Sequence, residues 1–146
     1  VMLSFSKGLG APVGAVLVGS ATVMAKAWET RKRFGGGMRQ SGILAAAALH
    51  GLEHNLPRLH EDHRRAAALA AVLATIADLR VVPPDTNIVM VDLPERHRAA
   101  DVVARAKAAG VAISAWNASR IRVVLHGDID DRAAADATAR LQEVLR

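Results

Sequence analysis

Apolar and polar positions follow different rhythms at the two ends of the chain. Residues 1–19 read as two strand-like apolar runs, "VMLSFS" and "VGAVLVGS", around a glycine-rich polar break, "KGLGAP". Ser20 has the chemistry of a helix N-cap and predicts a helix to about Phe34. The run "GGGMRQSG" then breaks the pattern with Gly35, Gly36 and Gly37, a loop where the backbone bends or approaches something closely. An Ala/Leu run over residues 43–55 predicts a buried helix. Pro57 opens another, with Leu59, Ala66, Leu69, Leu73 and Ile76 at helical spacing.

The rear third alternates elements. "LRVV" (79–82) and "NIVMVDL" (87–93) read as strands either side of "PPDT". A helix over 98–110 ends on Gly110, "VAISAW" and "RIRVVLH" give two further strands, and an amphipathic helix runs over 130–146. These elements make a small α+β unit, with mostly antiparallel strands and helices on one face. The front does not fit this unit, because a lone hairpin is not a stable sheet. It reads as the end of a larger sheet that lies upstream in a longer protein. On that reading the 146-residue chain by itself is expected to be poorly folded or aggregation-prone. There is no internal repeat.

Composition narrows the chemistry. With 51% hydrophobic and 23% charged residues the chain is globular rather than disordered. Aromatics are only 3%, so the core falls to Ala, Val, Leu and Ile. Cysteine is absent, which excludes disulfides, thiolate metal sites and cysteine nucleophiles within these residues. No apolar run reaches membrane-spanning length, so a soluble, cytoplasmic protein is expected, without membrane partners. Nineteen Lys and Arg against fourteen Asp and Glu leave a net charge of +5. "KAWETRKRF" could suggest nucleic acid, but elsewhere bases interleave with acids and no aromatic stacking pattern accompanies them. A mixed-sign solvated surface accounts for the charge better, and no nucleic-acid partner is expected.

The stretch "SFSKGLGAPVGAVLVGS", followed by "RKRFGGGMRQSGILAAAALHGLEHN", "TNIVMVDL" and "RIRVVLH", resembles the C-terminal portion of the L-threonine aldolases. The joint occurrence of S-K-G-L-G-x-P-V-G and G-G-G-M-R-Q at this spacing is the specific part, and the resemblance runs over nearly the whole chain. It implies an α/β protein of the fold-type I, pyridoxal-phosphate-dependent class. Residues 1–42 would hold the end of the large cofactor-binding domain, and 43–146 a connecting helix with a small C-terminal α+β domain. It also implies pyridoxal 5'-phosphate as cofactor and retro-aldol cleavage of a β-hydroxy-α-amino acid, such as threonine or allo-threonine, to glycine and an aldehyde. Active sites at the boundaries of a homo-oligomer are implied as well. Alternatives remain in a related β-eliminating lyase, and in an incomplete chain that only docks to a partner carrying the missing front.

The resemblance gives particular residues their roles. Lys7 would form the Schiff base with the cofactor aldehyde, with flanking glycines that let a flat ring and its phosphate approach. Arg39, in the glycine loop, would pair with the cofactor phosphate or a neighbouring subunit's site; otherwise it caps backbone carbonyls in that loop. Arg122 matches the arginine that binds the substrate α-carboxylate. Arg120 lies two residues away on the same strand face, so the register leaves a choice between them. Leu125 departs from the usual threonine in that strand, and Trp116 either shapes the pocket or fills the core. The spacings of His50 with His54 and of His60 with His63 invite a metal, yet HExxH is missing and no third ligand is placed, so no metal site is expected. "HGDIDD" lacks the distal glutamate of a calcium loop, and Asp128 or Asp130 serves better as the N-cap of the last helix.

Overall fold

The computed structural model describes residues 1–146. The chain forms two compact units, Val1–Arg58 and Leu59–Arg146. In the front unit β1 (Met2–Ser4) pairs antiparallel with β2 (Ala15–Leu17), Met2 opposite Leu17. Helix α1 (Ala21–Arg33) starts where expected: the Ser20 hydroxyl accepts the Val23 N–H at 3.5 Å. It ends on Arg31, Lys32 and Arg33, cations at the negative end of the helix dipole. Helix α2 (Gly42–His50) continues into a widened π turn, Gly51–Asn55, and a 3₁₀ turn, Leu56–Arg58.

Two expectations need correction here. The helical run over 43–55 is not buried: within α2 only Ala48 is, and Ile43 is 82% exposed. A two-stranded hairpin has too little surface to cover an all-apolar helix. Pro57 does not open the next helix either; it sits inside the 3₁₀ turn, and α3 begins at Leu59. The compact front unit takes in α2 and the turns that follow it, to Arg58.

The rear unit has the layered arrangement expected of it. Helix α3 (Leu59–Leu73) precedes β3 (Arg80–Val82) and β4 (Ile88–Asp92). Helix α4 (Ala99–Ala108), β5 (Ser114–Asn117), β6 (Arg120–Val124) and α5 (Asp131–Leu145) follow. The strands lie in the order β3-β4-β6-β5, every pair antiparallel. Alternation along β4 and β6 decides which side chains enter the core. Val89, Val91, Ile121 and Val123 are buried with Ala66, Leu69 and Leu73 of α3, Val102 and Ala106 of α4, and Leu141 and Leu145 of α5. Met90, Asp92, Arg120 and Arg122 occupy the intervening positions, on the opposite face of the sheet.

Charged contacts fasten the ends of these elements. Arg65 binds Asp131 at 2.6 Å and Asp62 at 3.3 Å, tying α3 to the start of α5, and Arg64 reaches the same Asp131. Hydrogen bonds from Arg65, then Arg64, hold the Asp131 carboxyl below the usual carboxylate range. Asp130 is the α5 N-cap, its carboxylate accepting the Ala133 N–H at 2.7 Å. Leu125 is 2% exposed and belongs to the core. Its backbone pairs with Asn87, whose side-chain amide donates to the Leu125 carbonyl at 2.6 Å. No helix is long and apolar enough to cross a membrane.

Deleting core volume should therefore be costly only in the rear unit. Leu73→Ala or Ile121→Ala is expected to lower stability by about 2–5 kcal/mol. Ile43→Ala in this chain should change it by less than about 0.5 kcal/mol. Urea unfolding of the three variants checks the contrast.

Candidate active site

The loop between β1 and β2 carries Lys7. It is closed from within: the Phe5 N–H donates to the Gly14 carbonyl and the Ala11 N–H to the Phe5 carbonyl, both at 2.9 Å. The Gly10 N–H donates to the Lys7 carbonyl at 2.8 Å, which makes Lys7–Gly10 a tight turn. Gly10 has φ +71°, a left-handed conformation that an L side chain would strain. Leu9 and Ala11, only 4% and 6% exposed, anchor the loop to the body of the unit. Lys7 itself is exposed, and its ammonium makes no hydrogen bond or ion pair. The residue is thus fixed at its backbone and free at its tip.

The glycine loop is held by a different arginine from the one the motif suggested. Arg31 Nε donates to the Gly36 carbonyl at 2.7 Å, and the Gly36 N–H donates back to the Arg31 carbonyl at 2.8 Å. Arg31 therefore does the carbonyl capping that was the alternative role for Arg39. Arg39 is exposed and has no hydrogen-bond or ion-pair partner. No bond joins it to Lys7, although both belong to the front unit. The signal for Arg31 was legible in principle: a basic residue in the last turn of a helix that runs directly into three glycines.

Arg122 lies in the rear unit, on β6, with Met90 of β4 and Ser114 of β5 as its cross-strand neighbours. The neighbouring Arg120 is consumed by a two-pronged pair with Asp92, at 2.5 and 2.9 Å. That hydrogen bond, helped by the Arg120 charge, holds the Asp92 carboxyl below its ordinary range. Arg122 has no such counter-ion. Its guanidinium lies 5.8 Å from the centre of the Trp116 ring, and its Nε is buried without a hydrogen-bond partner. A buried, unpaired guanidinium N–H is costly unless an acceptor arrives. Of the two arginines, Arg122 is the one left without a counter-ion. Trp116 is 58% exposed and so does not fill the core. His50 and His54 stack, with ring centroids 4.1 Å apart.

A family model described as "beta-eliminating lyase" matches residues 1–96. The chain belongs to the beta-eliminating lyase family. It is 41% identical over 143 residues to the low specificity L-threonine aldolase of Escherichia coli strain K12, covering 98% of this chain and 42% of that protein. It is 43% identical over 133 residues to the low-specificity L-threonine aldolase 1 of Arabidopsis thaliana, covering 88% and 37%. The chain thus spans about two fifths of the length of the curated relatives it matches. Among solved structures it is similar to a Listeria monocytogenes protein assigned as an L-allo-threonine aldolase. That match has TM-score 0.73 at 21% identity and covers 99% of this chain and 44% of that one. A Thermus thermophilus α-aminoadipate aminotransferase, solved with N-(5'-phosphopyridoxyl)-L-leucine, matches with TM-score 0.68 at 19% identity, covering 99% and 41%. The fold is that of fold-type I pyridoxal-phosphate enzymes, of which this chain is a mixed α/β part.

The Asp92–Arg120 pair has a pH signature. A carboxyl depressed by folding stabilises fully above its unfolded value of about 3.9, and the gain is lost as pH falls through the lower folded value. Asp92→Asn should flatten the acid limb of the stability profile below about pH 4, measured by urea midpoints at successive pH values.

Proposed function

We propose that this chain carries the cofactor lysine and the carboxylate-binding arginine of a pyridoxal-phosphate-dependent lyase. The enzyme cleaves β-hydroxy-α-amino acids, threonine or allo-threonine, to glycine and an aldehyde. The observation that carries this reading is the unpaired, exposed Lys7 amine on a turn whose backbone is fixed by buried neighbours. The relatives named as threonine aldolases support the reaction class. The residues present suit the cofactor's aldehyde end, since a primary amine free of competing partners is what such a carbonyl condenses with.

Bound, the cofactor supplies the electron sink that lets a Cα–Cβ bond break. Lys7 would hold the cofactor through its Nζ, a primary amine that no protein group engages. Arg122 binds the substrate α-carboxylate, the acceptor that its buried Nε lacks, and so orients the bond to be broken. Arg39, without a protein partner, is suited to an anion such as the cofactor phosphate. The front unit exposes Met2, Leu17, Trp28, Phe34, Met38 and Ile43. An apolar surface of this kind supports its being covered in the assembled enzyme, by further sequence or by a second subunit of a homo-oligomer.

The family's name keeps β-elimination as the second reading. Products separate the two: glycine and an aldehyde support cleavage, whereas ammonia and an oxo acid would replace it with elimination. In the complete polypeptide, Lys7→Ala is expected to abolish turnover and the visible absorbance of bound cofactor without unfolding the protein. Arg122→Leu should weaken amino-acid binding by about 100-fold, the loss of two hydrogen bonds to a charged group. Arg120→Leu should leave binding within about threefold and lower stability instead.

A further inference from the structure

The geometry points to Asn55, in the π turn after α2, as the positioning residue for Lys7. This deepens the reading of Lys7 as the cofactor lysine and rests on it. The Asn55 side-chain amide donates from Nδ2 to the Leu9 carbonyl at 2.9 Å, across 46 residues of sequence. Leu9 stands two residues after Lys7, in the turn that the Gly10 N–H closes onto the Lys7 carbonyl. Gly51 and Asn55, four apart, share one face of the turn. Both meet the same carbonyl: a Cβ on Gly51 would lie 2.3 Å from the Leu9 oxygen. One on Gly10 would lie 3.0 Å from Asn55 Nδ2. The two segments therefore meet closely at the Leu9 carbonyl, and the Asn55 amide supplies its hydrogen bond.

The widening of the helix belongs to the same device. The Leu56 N–H reaches back five residues to the Gly51 carbonyl, closing the π turn. Such insertions recur at functional sites because they re-aim a side chain without ending the helix. Asn55 does not touch Lys7. It fixes the point from which the lysine extends, leaving the amine free, and so sets the direction from which Nζ meets a carbonyl carbon.

The test uses Asn55→Ala and Asn55→Asp in the complete polypeptide. In the cofactor-free protein, amide hydrogen exchange at Gly10 and Ala11 should accelerate at least tenfold in both variants near neutral pH, while the rear-unit strands keep wild-type rates. The rate at which added pyridoxal phosphate is captured, followed by visible absorbance, should fall about tenfold, with the same final occupancy at saturating cofactor. Asn55→Asp keeps the shape of the side chain, and its carboxyl regains an O–H donor when protonated. Its loop exchange, as a ratio to wild type, should return towards one as pH falls from about 7 to 4.5, since a neighbouring carbonyl and partial burial raise the carboxyl. Wild-type exchange and capture rates in both variants overturn the proposal, as does a ratio for Asn55→Asp that stays flat with pH. If Lys7→Ala captures cofactor as wild type does, the reading of Lys7 fails. The clamp then loses its catalytic meaning even where the exchange arm shows the turn loosened.

Discussion

The proposed chemistry depends on a single constraint, that one amine be held still at its root and left alone at its tip. A lysine tied into an ion pair has given its donors away, and a lysine on a mobile loop loses the orientation that makes a bound reaction fast. Here buried Leu9 and the closed turn fix the backbone, while the ammonium of Lys7 has no partner. Gly51 and the Asn55 amide of the π turn both meet the Leu9 carbonyl, and Gly10 leaves room for that amide. They make sense together as the mounting of that amine, and less sense as separate details of packing.

The rear unit solves the matching problem for a guanidinium. Strand alternation puts Arg120 and Arg122 on one face, where both would attract anions. Asp92 neutralises the first and leaves the second with a buried, unsatisfied Nε beside an aromatic ring. The pairing matters chemically: of two arginines two residues apart, Asp92 engages one and leaves the other with free hydrogen-bond donors.

The rear unit was largely legible in the sequence because its elements obey short-range rules. The alternation in "NIVMVDL" and "RIRVV", the stop at Gly110 and the cap at Asp130 each declare themselves within a few residues. The lysine and its loop were legible as a motif. What was not legible came from contacts across many residues. Nothing near Asn55 announces that its amide meets Leu9, 46 positions away. That Arg120 is paired and Arg122 is not follows from the cross-strand partner Asp92, which only the register supplies. Helix α2 misled because an apolar run reports what a helix can bury, not whether the unit holds enough surface to bury it.

One measurement reaches the centre of this account. The complete polypeptide, loaded with pyridoxal phosphate and reduced with borohydride, is digested, and the peptide bearing the reduced cofactor is located by mass spectrometry. The account predicts the added mass on Lys7 alone. Stable attachment at Lys26, Lys32 or Lys107 instead, or none at all, would contradict it.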